Sequence, residues 1–375
     1  MTPRRLPHIL ALLLLPALCA CGSEAPQGPL PPSAASVSAI KADGGAPRDV
    51  LGRAIDGLFD AESVGDTHAL LVLKRGSIIA ERYGKDINTN TRLPGWAMGQ
   101  CVTGLMIGQL VSDGRLRLNE TAPVPTWQRS GDPRGEITLK QLLQMRSGLR
   151  HSESTDPDRK SDRARMLFLD GRDDMAAYAE SQPLEELPGR VFKNSSATSV
   201  ILADLAARSL TESRDPGRRR AIVADYLKTR VLDPIGMQSM VADYDAAGTL
   251  IGSSMIHANA RDWGKLGDFL RHSGSVKGAQ VLPRRWIEFM RAPSPRNAGY
   301  GAQLWLNGPQ STGAQMLWPG QSPPNVFACL GEHGQYLIGS PGQLLTVVRL
   351  GNTPPDKTNV LHERMGELLR LFPGD

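Results

Sequence analysis

The chain has 375 residues, 40% hydrophobic and 22% charged, which is the balance of a globular protein with enough chain for one or two domains. Its formal net charge of +5 is too small to argue for a nucleic-acid partner. The densest basic run, Arg218–Arg220, has no aromatic residue beside it and is best interpreted as a solvated helix start. We therefore expect no nucleic acid among its partners.

The first residues have the features of an exported lipoprotein. Arg4 and Arg5 precede an apolar run over 9–20 that is too short to span a bilayer. The run ends at Cys21-Gly22, which resembles the lipobox in which the cysteine of bacterial lipoproteins is acylated. We predict a signal peptide over 1–20, lipidation at Cys21, and a membrane-anchored envelope protein facing the periplasm. The alternative is a plain secretory signal cleaved near the same place.

Residues 22–47 are rich in Pro, Ala, Ser and Gly and contain few large apolar residues. Such a composition is typical of disorder, so we predict a lipidated cysteine and flexible tether over 21–47. The folded domain is then expected over 48–375.

Predicted elements follow in chain order from this boundary. Helical spacing over 50–59 precedes two β-rich runs, 68–73 and 77–83, which a Lys-Arg-Gly turn joins into a hairpin. A helix over 100–113 ends at Gly114, and a capping box at Thr138–Gln141 opens a short helix. Helical patterns then dominate to about residue 286.

The tail returns to strands, predicted over 300–307, 326–330, 335–338 and 344–350, and a last helix is predicted over 359–371. Strands at both ends with helices between them indicate an α/β fold. We expect one mixed sheet built from both chain ends, with a helical region of roughly 100–290 inserted.

The four cysteines contain no C-x-x-C spacing, so they predict neither a zinc site nor a redox motif. Cys19 and Cys21 belong to the signal and the anchor. In an oxidising compartment Cys101 and Cys329 could form a disulfide, but from the sequence we favour two separate buried thiols.

The chain lacks the sequence motifs of several common enzyme classes. The chain has no P-loop, no G-x-G-x-x-G, no H-E-x-x-H and no G-x-S-x-G elbow. The sequence therefore does not indicate a nucleotide-binding protein, a metalloprotease or an α/β-hydrolase. We predict no cofactor and no metal.

Seven short blocks, in a fixed order, resemble the serine β-lactamase-related family. That family includes class C β-lactamases, penicillin-binding D-Ala carboxypeptidases, esterases and 6-aminohexanoate-dimer hydrolases, and the likeness is closest to the last branch. The blocks are LPGWAMGQCV (93–102), ITLKQLLQMRSGL (137–149), PGRVFKNSSATS (188–199), VLDPIGM (231–237), GSSMIHANARDWGKLG (252–267), YGAQLWLN (300–307) and GEHGQYL (331–337). The resemblance implies a β-lactamase/transpeptidase-like sandwich over about 67–350.

The resemblance also implies a mechanism, and the residues that would perform it are replaced. The family uses the Ser and Lys of an S-x-x-K turn and a Tyr from a second motif. Here those positions hold Ala97, Gln100 and Asn194. Alanine has no oxygen with which to form an acyl-enzyme, and an amide has no accessible pKa with which to act as a base.

Other pocket candidates that the resemblance implies are also altered or lack a motif. Met255 stands where an aromatic residue is expected, and the third motif contains Glu332 before His333. Ser195 and Ser196 follow Asn194 and are expected to hydrogen-bond backbone groups.

These replacements predict a catalytically inactive homologue that binds a ligand or partner at the envelope. The candidate ligands are a peptide, a cell-wall fragment or an ester. One alternative is a weak hydrolase that uses Ser195, Ser196, or Cys329 with His333 as its base. The other alternative is a structural envelope protein with a vestigial pocket.

Overall fold

The structure is a computed structural model that describes residues 1, 28–154, 160–311 and 315–374. The chain divides into two units, Met1–Pro31 and Pro32–Asp375, and every helix and strand below belongs to the second. The predicted signal peptide and its lipidation site at Cys21 lie outside the described residues. Within the described ranges, no helix combines the length and the apolar character that crossing a membrane requires.

The helices are, in chain order, α1 Ala34–Ala39, α2 Arg48–Leu58, α3 Ala61–Val64, α4 Gly99–Ser112, α5 Leu139–Leu143, α6 Asp162–Phe168, α7 Met175–Glu180, α8 Ser196–Leu210, α9 Pro216–Leu227, α10 Asp233–Ile235, α11 Ala260–Arg271, α12 Arg284–Met290 and α13 Thr358–Arg370. A π-helical turn, Lys228–Leu232, joins α9 to α10. The helices predicted over 50–59, 100–113 and 359–371 are confirmed as α2, α4 and α13. The capping box is confirmed by both of its hydrogen bonds, at the start of α5.

The strands are, in chain order, β1 Asp66–Lys74, β2 Ser77–Tyr83, β3 Leu93–Pro94, β4 Val241–Ala242, β5 Ile256–Ala258, β6 Ser275–Val276, β7 Ala279–Gln280, β8 Trp305–Leu306, β9 Phe327–Gly331, β10 Gln335–Ser340 and β11 Leu345–Asn352. The hairpin of β1 and β2 and the strands β9, β10 and β11 are confirmed. The strand predicted over 300–307 is only two residues long, because Tyr300 pairs with Trp305 across a tight turn in which Gln303 has φ 58°.

Six strands form the main sheet, in the order β2-β1-β11-β10-β9-β8. The first two come from the N-terminal part of the chain and the other four from the C-terminal part, so the predicted sheet from both chain ends is confirmed. The sequence predicted a mixed sheet, whereas the described pairs are all antiparallel. Short turns join β1 to β2 and β9 to β10 to β11, and such connections give antiparallel neighbours.

The sheet is buried on both faces, and β1 shows how. Leu71 and its alternate neighbours belong to the core shared with α4, α8 and α11, while Leu70 and Val72 face the core formed by α2 and α13. Successive side chains of a strand point to opposite faces, so a continuous apolar run fits a sheet covered on both sides. Between β2 and β8 the chain forms α4 to α12 and two small sheets, β3-β5-β4 and β6-β7.

The tether prediction is wrong for residues 32–47, which pack on the domain. Ser33 caps α1, and the hydroxyls of Ser33 and Ser36 both donate to the carboxylate of Asp56 on α2. Ile40 is 6% exposed and pairs with Ala80 beside β2. A composition of small and polar residues is compatible with order here because specific partners on α2 and β2 satisfy its polar groups.

Candidate functional site

The corner that carries residue 97 is strained. Trp96–Met98 forms a 3-10 turn that leads into α4, and Trp96 has φ 48°. This is the left-handed region, which costs a bulky residue about 1 kcal/mol or more and persists only when the surroundings enforce it. Gly95 is required because a Cβ there would lie 2.4 Å from the ring of Trp263. The backbone that presents Ala97 is therefore held in place by packing.

The N–H group of Ala97 already has an acceptor. It donates to Oε2 of Glu332 at 3.0 Å, across 235 residues of sequence. Glu332 opens the 3-10 turn between β9 and β10, and β9 lies so close to the corner that a Cβ at Gly331 would meet the carbonyl oxygen of Gly95. A carboxylate from the third family motif thus occupies the backbone donor at the position that the resemblance assigns to the nucleophile.

Gln100 lies one helical turn further along and is 4% exposed. Its Oε1 accepts a hydrogen bond from the hydroxyl of Tyr300 at 3.4 Å. Burial raises the pKa of Tyr300 well above its usual range, so the phenol remains a neutral donor. Rings of Phe192 and Trp305 pack against Tyr300, with centroids 5.1 and 4.9 Å away. The contact is an amide with a phenol, and neither group offers a base at neutral pH.

A chain of ion pairs crosses the site from the sheet side to the helical side. Arg163 contacts Oε1 of Glu332, and its Nε lies 3.5 Å from Oε2 of Glu153. Glu153 accepts hydrogen bonds from the backbone N–H and the hydroxyl of Ser196, and its Oε1 lies 3.0 Å from Nε2 of His151. One guanidinium is therefore shared by two carboxylates. The charged groups of the site are partnered with one another.

The two serines next to Asn194 both serve the start of α8. Ser195 is the N-cap residue, and its hydroxyl accepts from the N–H of Thr198 at 3.2 Å. The hydroxyl of Ser196 donates to Glu153 at 2.9 Å. The expectation of a backbone partner is confirmed for Ser195, while Ser196 has a carboxylate partner instead. Both are at least 94% buried, and neither is paired with an imidazole or an amine that could take its proton.

Asn194, at the position assigned to the family's Tyr, is half-buried. Its Oδ1 is buried and has no hydrogen-bond partner among the described residues. An amide cannot shuttle a proton as a phenol can, but a free carbonyl oxygen can accept a hydrogen bond from a ligand. Asn194 therefore keeps an unpaired acceptor oxygen at a position that the resemblance assigns to the reaction.

Met255 and His333 both have left-handed backbone, with φ 53° and φ 60°. Met255 is half-buried and directly precedes β5. The backbone of the preceding residue, Ser254, lies beside Gly99 at the start of α4. His333 is exposed, and its ring meets that of Trp96 edge-on at 5.4 Å. The structure therefore brings several sequence-predicted site residues to one corner: Ala97, Gln100, Glu332 and His333. The segment that contains Met255 lies at the same corner.

The prediction of two separate thiols is wrong. Cys101 on α4 and Cys329 on β9 form a disulfide, with Cα atoms 6.1 Å apart. A separation of 228 residues concealed this pairing, and only the packing of α4 against β9 brings the two together. Because a thiolate is the nucleophilic form of cysteine, bonded Cys329 does not supply the nucleophile of the alternative hydrolase.

Several residues of the site were not predicted from the sequence. His151, Glu153 and Arg163 lie in a polar stretch that matches no motif, and Tyr300 lies in a family block without having been singled out. Their only sequence signal is proximity to recognised blocks. Among the described residues, no group of three or more His, Cys, Asp or Glu side chains is arranged to hold a metal ion.

Comparison with known proteins gives a consistent result. A protein-family model described as Beta-lactamase matches residues 59–370. The 6-aminohexanoate-dimer hydrolase of Paenarthrobacter ureafaciens is 24% identical over 311 residues, which cover 79% of this chain and 75% of that protein.

Solved structures agree in fold. A Bacillus anthracis protein described as a 6-aminohexanoate-dimer hydrolase superposes with a TM-score of 0.67 at 21% identity, covering 83% of this chain and 80% of that one. A Bacteroides dorei protein described as a β-lactamase gives a TM-score of 0.64 at 16% identity, covering 87% and 99%. The family model spans well over half of the chain, and the fold predicted from the resemblance is confirmed. The chain belongs to the β-lactamase family.

Proposed function

We propose that this protein is a catalytically inactive member of the β-lactamase family that acts at the cell envelope by binding rather than by acyl transfer. The observation that carries the proposal is the contact between the Ala97 N–H and the Glu332 carboxylate. Acyl transfer needs a nucleophile at this corner and a free backbone donor for the developing oxyanion. Ala97 offers no nucleophile, and its donor is already used.

The electrostatics of the corner support the same conclusion. An oxyanion forming beside Ala97 would lie next to the carboxylate of Glu332, and like charges in close contact are mutually destabilising. Arg163 offsets part of this charge but is shared with Glu153. Gln100, in the position of the family's Lys, supplies neither a base nor a positive charge. Three separate requirements of the reaction are unmet at one place.

The binding role rests on what the site retains. The corner keeps its strained backbone, the ring of Trp96 packed against His333, and the unpaired Oδ1 of Asn194. A peptide or a cell-wall fragment, with amide N–H groups to donate, is the ligand class that such a site favours. Lipidation at Cys21 would hold the domain at a membrane facing the periplasm. A ligand that entered the corner would have to displace Glu332 or hydrogen-bond to it.

A weak hydrolase is the second candidate, because the hydroxyl of Ser196 contacts Glu153 beside His151. The order of these contacts argues against it. The imidazole would have to lie between the serine and the carboxylate to act as the base, whereas here the carboxylate lies between. Labelling of the mature protein with a fluorophosphonate and with penicillin separates the two candidates. We expect no adduct, and a stoichiometric adduct at any residue would contradict the proposal.

Restoration of activity tests the proposed cause of inactivity. The triple variant Ala97→Ser, Gln100→Lys, Asn194→Tyr replaces the chemistry but leaves Glu332 in place. We expect this variant to hydrolyse p-nitrophenyl acetate weakly or not at all. Adding Glu332→Ala should raise the rate at least about tenfold, the equivalent of ~1.4 kcal/mol in the barrier. A matched control adds Glu185→Ala, which removes an exposed carboxylate paired with Lys193.

A triple variant as active as the quadruple one would show that Glu332 does not block the donor. A folded quadruple variant that neither labels nor turns over would show that the pocket itself has changed shape. Thermal shifts of the unmodified protein with cell-wall fragments, peptides and esters test the binding role, because a ligand that binds only the folded state stabilises it.

A further inference from the structure

A groove of ≈ 380 Å³ lies on the helical part of the domain, and none of its lining residues belongs to the site described above. Four arginines from four segments line it. Arg115 follows α4, Arg208 lies in α8, Arg214 lies in the loop after α8, and Arg219 lies in α9. We call this feature the arginine groove.

Two of the four guanidinium groups, those of Arg208 and Arg219, form ion pairs with one buried carboxylate. Asp204 on α8 is 2% exposed, and its Oδ1 lies 2.5 Å from Nη2 of Arg219. Its other oxygen contacts Nε of Arg208. A guanidinium carries five N–H donors in a fixed plane, and these contacts engage few of them. The carboxylate of Asp204 therefore fixes the orientation of both guanidinium groups, and their remaining N–H donors are not used by it. Supporting residues that fix side chains in this way preorganise a binding site.

The charges of the arginine groove do not cancel. Against four guanidinium groups stand the buried Asp204, one carboxylate of the lining, Glu212, and Asp174, whose charge acts on Arg208. Glu180 lies 3.4 Å from Arg208, but burial, and then the charge of Asp204, raise the pKa of Glu180 to about 8. The raised pKa makes the carboxyl of Glu180 a weaker source of negative charge than an ordinary glutamate. Positive charge remains in surplus.

The other two arginines are exposed and less engaged. Arg115 donates to the carbonyl oxygen of Ser209 at 3.2 Å, and Arg214 forms no ion pair with the described residues. Coulomb attraction between such groups and an anion is screened by salt, but several of them acting together on one multivalent anion retain affinity.

Hydroxyl groups add further donors. The oxygen of Thr211 accepts from the N–H of Ser213, and the oxygen of Ser213 accepts from the N–H of Asp215. Their O–H groups have no acceptor in the ranges that the structure describes. Leucine and proline side chains form the remaining wall of the groove. The polar lining is thus dominated by hydrogen-bond donors, which suits a ligand made of acceptor oxygens.

We propose that the arginine groove binds a phosphate-bearing anion. A phosphate group presents several acceptor oxygens and more than one negative charge, and arginine recognises it through paired N–H donors. The phosphate is supplied either by a free compound, such as a pyrophosphate, or by the headgroup of an anionic lipid. The proposal is independent of whether the first site is catalytic.

Isothermal titration calorimetry with sodium pyrophosphate and with inorganic phosphate tests the proposal, at a constant ionic strength of about 150 mM with sodium chloride as the control salt. The variant is Arg115→Ala, Arg214→Ala, because neither side chain is buried. The matched control is Arg284→Ala, Arg285→Ala, which removes the same charge from exposed positions on α12. A second arm measures binding to phosphatidylglycerol vesicles, with phosphatidylcholine vesicles as the control.

We expect saturable binding by the unmodified protein and by the control, and binding at least about tenfold weaker in the groove variant. Binding to phosphatidylglycerol vesicles alone would identify a lipid headgroup as the source of the phosphate. The absence of saturable binding in both arms would overturn the proposal, as would equal weakening in the control. If the double variant does not fold, Arg214→Ala alone takes its place.

Discussion

The corner at Ala97 and the arginine groove are both rich in charged groups, but their charges are organised in opposite ways. At the corner, the guanidinium of Arg163 is shared by the carboxylates of Glu332 and Glu153, so each charged group has a partner of opposite sign. In the arginine groove, guanidinium groups outnumber the carboxylates that could neutralise them. Charged groups that satisfy one another stabilise a conformation, while a surplus of one sign attracts a ligand.

We infer that a binding surface of this fold need not lie where the family's catalytic residues are expected. The corner lies where the resemblance places the family's catalytic residues, and it has left-handed backbone at Trp96, Met255 and His333. The positions that the resemblance assigns to the reaction hold Ala97, Gln100 and Asn194, which we propose leave the corner without acyl transfer. None of the residues that line the arginine groove lies in the seven family blocks. Its guanidinium groups nevertheless have fewer carboxylate partners than the charged groups of the corner have partners of opposite sign.

The largest expected effect comes from the disulfide that holds the corner together. Replacing Cys101 and Cys329 by alanine should lower the free energy of unfolding by about 2–5 kcal/mol, because the bond closes a long loop. Urea unfolding measures the loss. The arginine groove lies on other segments, so its pyrophosphate affinity should stay unchanged where the variant is folded. A loss below about 1 kcal/mol would contradict the structural role of this bond.

Arg163→Met should have the next largest effect, because it keeps the apolar stem and leaves two carboxylates without their shared cation. We expect a loss of about 1–3 kcal/mol in urea unfolding, since Arg163 is only 12% exposed. Arg165→Met is the matched control, with a more exposed side chain paired with Asp170, and should cost less than about 1 kcal/mol. Equal losses of unfolding free energy in the two variants would show that the ion pairs of Arg163 do not stabilise the corner.

The smallest effect concerns Glu180, which lies behind the arginine groove. Its pKa is raised from 4.5 to about 8, mainly by burial and then by Asp204, so the folded chain holds a proton that the unfolded chain releases. This contribution to stability is complete below about pH 4.5 and is lost as the pH rises through about 8.

Relative to Glu180→Gln, the unmodified protein should therefore lose stability, on the order of 1 kcal/mol or more, between these pH values. Thermal or urea unfolding of both proteins across this range measures the difference. A stability difference that did not change with pH would show that Glu180 is ionised in the folded chain.

Local patterns explain why much of the fold was predictable. The helix of α2, the hairpin of β1 and β2, and the capping box of α5 depend on residues close together in the sequence. The failures involve distant partners. Residues 32–47 are ordered because Asp56 and Ala80 satisfy them, and Cys101 meets Cys329 only after α4 packs on β9.

Much the same division applies to the two sites. Ala97 and Gln100 stand where the resemblance places a nucleophile and a base, and predicting their replacement needs only a residue type and a position. The ligand-like contact of Glu332 with the Ala97 N–H was not visible, since it depends on a backbone turn 235 residues away. The four arginines of the groove are likewise scattered over 115–219 and gave no motif.

The sequence by itself determined the family and the two-ended sheet, because these follow from short patterns and their order. Only the tertiary structure decided which charges meet, which cysteines bond and which donors remain unused. Hydrogen bonds and ion pairs act over a few ångströms, so their partners are set by how the elements pack and not by how far apart they lie in the chain.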